Sequence, residues 1–255
     1  MSSPLKVWLD RDGQLLRLRL AQPKANIVDA AMIGALSDAL ESHLNVSTLK
    51  AVLLDAEGSH FSFGASVEEH MPDQCADMLA ALHALVLKLA GAPVPVLVAV
   101  QGQCLGGGLE VVLACSRIYA APTAAMGQPE IKLAVFAPAA SCLLPGRVGQ
   151  ACAEDLLYTG RSVSGEEAGA MGLADVVTDD PEAAALAYFD KYLAGVSAST
   201  LRHAVQAARS PLVQQLEKDL ARVERQYLDH LMSTHDAVEG LEAFVEKRQP
   251  KWEHR

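Results

Sequence analysis

Hydrophobic and polar residues alternate with a period of two over Leu16-Arg17-Leu18-Arg19-Leu20. The turn Asp10-Arg11-Asp12-Gly13 separates this run from residues 6–9, so the chain is predicted to open with a β-hairpin. Behind Asp29 the spacing changes. Ile33, Leu36 and Leu40 recur at helical intervals, which predicts a helix capped by the Asp29 carboxylate and running to about Leu44. Short apolar runs at 50–55, 94–100 and 117–120 read as buried strands. Between them, residues 73–89 carry Met78, Leu82, Leu85 and Leu89 on one helical face, and 106–114 reads as a further helix. The order predicts repeated βα units around a largely buried sheet, an α/β fold.

Past Gly149 the pattern turns helical. Segments 153–157, 166–171, 181–193, 198–208, 213–232 and 237–247 favour helix, and only 174–177 suggests a strand. This helical layer has little sheet of its own to cover, so some of its apolar faces are expected to pack on the core and others to meet another subunit. The length of 255 residues and the 51% hydrophobic content suit one ample core.

Charge and cysteine usage narrow the function. A net charge of -10, with no Lys/Arg-rich block, argues against nucleic acid as the main ligand. Cys75, Cys104, Cys115, Cys142 and Cys152 are odd in number and lack any metal-binding spacing, so they read as reduced, mostly buried thiols and no metal is expected. His43, His83, His203, His230, His235 and His254 share no ligand spacing either and are expected in structural or surface roles. The opening MSSPLKVWLDRDG has neither a signal-peptide nor a transit-peptide pattern. The longest apolar stretch, 92–100, holds two prolines and is too short to span a bilayer. A soluble, cytoplasmic protein without membrane contact is expected.

Three segments offer chemistry. Gly106-Gly107-Gly108-Leu109-Glu110 runs from a strand end into a helix whose first N–H groups point outward, an arrangement suited to anionic oxygen. It has neither GxGxxG spacing nor a phosphate-loop lysine, and a tight packing turn is an equally good reading of the segment by itself. His60-Phe61-Ser62-Phe63-Gly64-Ala65-Ser66 follows another strand. If Ala65 and Gly107 end neighbouring strands, their N–H groups converge on one carbonyl oxygen as an oxyanion hole. The third segment, Gly127-Gln128-Pro129-Glu130, places an acid in a mostly apolar stretch, where desolvation raises its pKa and fits it to carry a proton. The alternative for Glu130 is a surface residue opening a helix after proline.

In order and spacing these motifs resemble the crotonase (enoyl-CoA hydratase/isomerase) superfamily over nearly the whole chain. Pro23-Lys24-Ala25-Asn26 and the ending Glu239-Gly240-Leu241-Glu242-Ala243-Phe244-Val245-Glu246-Lys247-Arg248 add to the likeness. The resemblance implies a ClpP/crotonase-like fold, with repeated ββα units forming a spiral core over residues 1–195 and a C-terminal helical trimerisation subdomain over 196–255. It implies an acyl-CoA thioester substrate, with coenzyme A part of the substrate and no retained cofactor, and a homotrimer or dimer of trimers. Ala65 and Gly107 would hold the thioester oxygen, while Glu110 and Glu130 would handle water and protons as a coupled pair whose acid and base are left unassigned. Lys24, Ala25, Phe244 and Lys247 would meet the CoA moiety.

Departures from the family pattern point to an unusual acyl group. Where common hydratases carry a glycine-rich run after the third motif, this chain has Ala137-Pro138-Ala139-Ala140-Ser141-Cys142, so an amide that holds water in relatives is replaced by Pro138. Gly64, Ser66, His70, Met71 and Phe136 complete the expected acyl pocket. These variant loops resemble the branch of the family that adds water 1,4 across a conjugated ring diene on CoA in anaerobic degradation of aromatic acids. Two alternatives remain open at this stage: a general hydratase of linear 2-enoyl-CoA thioesters, and a catalytically silent binding or scaffold subunit.

Overall fold

The computed structural model describes residues 3–22 and 24–255. The opening hairpin forms as the alternation predicts. Strand β1 (Leu5–Asp10) pairs antiparallel with β2 (Leu15–Leu20), with Leu5 opposite Leu20 and Asp10 opposite Leu15. Helix α1 (Ala30–His43) begins where Asp29 accepts the Met32 N–H at 2.9 Å, and it carries the chain over to β3 (Ala51–Ala56), parallel to β2. Helix α2 (Cys75–Ala90) then leads to β4 (Val96–Val100), buried at every position as a strand covered on both faces should be. The short β5 (Gln103–Leu105) passes through the glycines into α3 (Gly107–Leu113), followed by β6 (Arg117–Ala120), parallel to β4.

The next stretch holds β7 (Ala125–Gly127), a 3-10 turn (Pro129–Leu133), α4 (Pro138–Val148), α5 (Gln150–Thr159), β8 (Ser162–Ser164), α6 (Gly165–Ala170) and β9 (Val176–Val177). Helices α7 (Pro181–Tyr188), α8 (Ala198–Arg225) and α9 (His235–Val245) complete the chain. The strands form a six-stranded sheet in the order β1-β2-β3-β4-β6-β9 and a small sheet β5-β7-β8. Parallel bridges from Ser62 to Cys104 and from Val28 to Ala65 extend the small sheet toward the first loop. Its three-residue strands and α4 went unread in the sequence because none is long enough, or periodic enough, to carry a hydrophobic signature.

Arg17, on the polar side of the β2 alternation, is only 4% exposed. Asp55 is buried beside it, and Glu182 of α7 closes over the pair, so the polar face is covered by an ionic cluster instead of water. Segments 198–208 and 213–232, read as two helices, are joined in α8, which runs straight through Pro211. Pro211 lies on the exposed side, where the Ala207 carbonyl left without its amide is open to solvent. Two guanidinium groups also anchor the helix. Arg202 donates to the Leu44 and Val46 carbonyls, and Arg209 donates to those of Ala90 and Ala114, so α8 caps the C-terminal ends of α1, α2 and α3. Leu216, Leu220, Val223, Tyr227 and Leu241 of the C-terminal region join the same hydrophobic core as the strands.

Candidate active site

The first and second loops are stitched together strand-fashion before they reach the site. Phe61 and Ser62 donate N–H groups to the Gln101 and Gln103 carbonyls, each at 2.9 Å, and Leu105 donates back to the Ser62 carbonyl at 3.0 Å. The register carries Ala65 against Gly107. A Cβ on Gly107 would stand 2.9 Å from the Ala65 Cβ and 3.2 Å from its nitrogen, so only glycine admits this approach. Gly107 opens α3, where its N–H has no partner within the helix, and the Ala65 N–H is likewise unused by the backbone bonds that fix its loop. Two free amides therefore flank one cavity.

Helix α3 carries Glu110 one turn further, where the side chain is 3% exposed. Its carboxylate accepts the Ala140 N–H at 2.9 Å in the first turn of α4, within the positive end of that helix. Pro138 is the first residue of α4 and contributes no donor there. Burial raises the Glu110 pKa, and the Ala140 N–H, His83 and the Ala139 N–H each offset part of that rise.

Glu130 comes from the 3-10 turn after Pro129, so it does open a helical turn after proline, but it faces the cavity instead of the surface. Gly106, at φ 50°, leaves room for it: a Cβ there would sit 2.8 Å from Glu130 Oε1. With its amide nitrogen turned to the carboxylate, buried Gln128 donates to both Glu130 oxygens at 3.1 Å. Burial, and then the charge of Glu110, pushes the Glu130 pKa up from 4.5 to about 8. One carboxyl group is held by amides and the other is pushed toward its protonated form, and both face one cavity of about 870 Å³.

The family model described as Enoyl-CoA hydratase/isomerase matches residues 10–255. This chain belongs to the enoyl-CoA hydratase/isomerase family. It is 65% identical to the cyclohexa-1,5-dienecarbonyl-CoA hydratase of Thauera aromatica over 254 residues, covering 100% of this chain and 98% of that protein. It is also 33% identical to a probable enoyl-CoA hydratase of Mycobacterium bovis, over 98% of both chains. The solved structure of an enoyl-CoA hydratase from Mycobacterium avium superposes with a TM-score of 0.87 at 23% identity, covering 99% of this chain and 100% of that one. The fold is therefore the crotonase fold of the family.

Of the residues that the family resemblance assigns to the site, Gly64, Ala65, Ser66, His70, Gly107, Glu110, Glu130, Phe136, Pro138, Phe244 and Lys247 line the one cavity. His70 donates from Nδ1 to the Ser66 carbonyl at 2.7 Å, and burial lowers its pKa, so Nε2 is a lone-pair acceptor on a neutral ring. Lys24, Ala25 and Met71 are not on the cavity wall. Lys24 is exposed, the Ala25 carbonyl is spent on the Phe63 N–H at 2.9 Å, and Met71 turns toward the hydrophobic core. Pro23 lies outside the described residues. Leu79 and Leu82 of α2 and Leu241 of α9 also form the wall. Sequence reading missed them because a cavity-lining leucine has the same helical spacing as a core leucine. Ala140 was missed for another reason: its contribution is a backbone N–H, which any residue but proline supplies.

Among the described residues, no set of His, Cys, Asp or Glu side chains is grouped to hold a metal ion, and no helix is long and apolar enough to cross a membrane.

Proposed function

We propose that the chain is a hydro-lyase that adds water to cyclohexa-1,5-diene-1-carbonyl-CoA and forms 6-hydroxycyclohex-1-ene-1-carbonyl-CoA. The observation that carries the reading is the 65% identity, end to end, with a hydratase of that name. Ala65 and Gly107 donate their N–H groups to the thioester oxygen and stabilise the negative charge that develops there. Glu110, ionised, takes a proton from water as the oxygen bonds to the β carbon of the ring. The electron pair displaced from that double bond spreads through the thioester and the second double bond, and Glu130 delivers its proton to the far diene carbon. The result is 1,4-addition, after which the proton on Glu110 returns to Glu130 through solvent.

The two carboxyl groups take opposite roles because their surroundings differ. Glu110 rests on the amides of α4, which favour the anion, whereas Glu130 meets that anion and is driven to hold its proton. Phe136, His70, Pro138, Leu79 and Leu82 enclose the ring, and Phe244 and Lys247 of the same cavity wall meet the CoA arm. Coenzyme A enters and leaves as part of the substrate. The family's homotrimer or dimer of trimers and a cytoplasmic location complete this reading.

Initial rates on the ring dienoyl-CoA and on crotonyl-CoA test it, with products identified by mass and NMR. A preference of about 10²-fold or more for the diene is expected, about what a pocket shaped for one acyl group supplies. A preference for crotonyl-CoA overturns the ring substrate and leaves a hydratase of linear enoyl thioesters. Absence of turnover on any acyl-CoA overturns the enzyme reading altogether.

A further inference from the structure

The segment 239–248 gives the cavity wall Leu241, Phe244 and Lys247, and leaves Glu239, Gly240 and Arg248 without a part in the chemistry above. At Lys247, φ 54°, the chain reverses, and the residues that follow run back along α9. Two carboxylates near the start of α9 hold them there. Asp236 accepts the Glu253 and His254 N–H groups at 2.7 and 2.8 Å, and Glu239 accepts the Lys251 N–H at 2.7 Å while pairing with both terminal nitrogens of Arg248. The tail so held sets the Trp252 ring against Gly240. A Cβ on Gly240 would stand 3.2 Å from that ring, 2.7 Å from the Leu133 carbonyl carbon and closer still to its oxygen, so the α9 backbone bears directly on Leu133. Leu133 ends the 3-10 turn that carries Glu130. The next residue, Ala134, leaves that turn at φ 56°, a conformation that costs an alanine energy and so needs outside support.

We propose that Gly240 and Trp252 are positioning residues: the tail, drawn back by Asp236 and Glu239, presses α9 onto the Leu133 carbonyl and so holds the turn that aims Glu130 into the cavity. The proposal rests on the reading of Glu130 as the group that delivers the proton. A proton passes only across hydrogen-bond distance, and a 3-10 turn of 5 residues has few bonds of its own to resist displacement. Helix α9 meets that turn at its end, and the bare Cα of Gly240 is what lets the two backbones touch. The Glu253 amide holds the Asp236 carboxyl, and the Arg248 guanidinium the Glu239 carboxyl, below the usual carboxylate range, so the clasp stays charged near neutral pH. The charged or titratable groups about Glu130 are Glu110 of α3, Lys132 of its own turn, His70 and Lys247 of the cavity wall, and the Tyr227 phenol beyond α8. Substituting Gly240 or Trp252 alters none of them, so a change in the Glu130 titration reports its placement.

The test is a carbon-13 NMR titration of the Glu130 carboxyl, assigned against Glu130→Gln, together with the pH profile of kcat, for wild type, Trp252→Ala, Trp252→Phe and Gly240→Ala. Loosening the turn admits water to a carboxyl whose pKa burial has raised. In Trp252→Ala the titration and the alkaline limb of kcat are therefore expected to move to lower pH by about one unit. The optimum kcat is expected to fall about tenfold with KM little changed, and Trp252→Phe, which keeps an aromatic ring against Gly240, to restore both. Gly240→Ala, whose methyl has no room, should move the titration further in the same direction. Trp252 is 40% exposed, so its variants keep the measurement available if Gly240→Ala does not fold. A Glu130 titration unmoved in Trp252→Ala overturns the proposal whatever the rates do, and so does a rise in KM with kcat unchanged. The titration needs no substrate, so absence of turnover on the ring diene sinks the substrate reading without touching the placement of Glu130.

Discussion

Two places in this molecule bury acids, and they treat them in opposite ways. On the outer face of β2 and β3, Asp55 lies 2.7 Å from Arg17 and 2.5 Å from Arg19, Glu182 closes the cluster, and the Trp8 ring stacks 4.9 Å from the Arg17 guanidinium. Each negative charge there has a guanidinium against it. At the cavity, Glu110 and Glu130 face each other with backbone amides and one glutamine for company. The first arrangement holds charge still; the second leaves it unsettled, so that a proton moves at small cost. Identical functional groups thus become mortar or machinery according to whether a fixed cation stands beside them.

The sharpest way to break the contrast is Glu130→Gln, which leaves a neutral amide where a proton must be delivered. Turnover is expected to fall about 10³-fold or more, with acyl-CoA binding kept, as steady-state rates and equilibrium titration would reveal. The same variant has a stability signature of defined sign. A carboxyl whose folded pKa is raised from 4.5 to about 8 costs nothing below the lower value, and its burden grows as pH rises through that window. Glu130→Gln should therefore be more stable than wild type by about 1–3 kcal/mol near pH 8 and equal to it near pH 4 in urea melts. In wild type, kcat should decline above about pH 8 as Glu130 loses its proton.

Arg17→Met attacks the other region. It leaves Asp55 buried with one guanidinium fewer, and a loss of about 3–5 kcal/mol in chemical denaturation is expected while kcat of the folded enzyme holds. A kcat that fell with stability would mean the two regions are coupled through β3. The smallest effect is expected from Pro138→Gly, which restores an N–H at the start of α4 beside Glu110. A shift of tenfold or less in the ratio of ring-diene to crotonyl-CoA rates is expected, with a change in the site of protonation read by deuterium incorporation. An unchanged ratio and site would remove Pro138 from any account of regiochemistry.

Much of this was legible beforehand, and the boundary has a physical cause. Asp29 announced its helix because capping is a local bond, and the buried strands announced themselves because burial selects apolar runs. Ala65 could be placed on a loop after a strand, Gly107 and Glu110 at the opening of a helix and Glu130 in an apolar stretch, and their convergence followed from family likeness, since no local pattern encodes which strands are neighbours. What stayed hidden depends on tertiary contact. The cover over Arg17 stayed hidden because α7 is distant in sequence. Pro211 looked like a helix end because the arginine anchors of α8 act through carbonyls, and carbonyls have no letter in the sequence.

The cavity wall contributed by α9 sets an order of events for the birth of the pocket. Glu110 and Glu130 precede Leu241, Phe244 and Lys247 by the whole of α4 to α8, and Tyr227 plugs the core between them. The sheet can assemble on the nascent chain, but the pocket has no far side until α9 has followed. A growing polypeptide thus carries both glutamates well before it can enclose a substrate, and one cut short before α9 would keep both carboxyl groups with nowhere to hold the thioester.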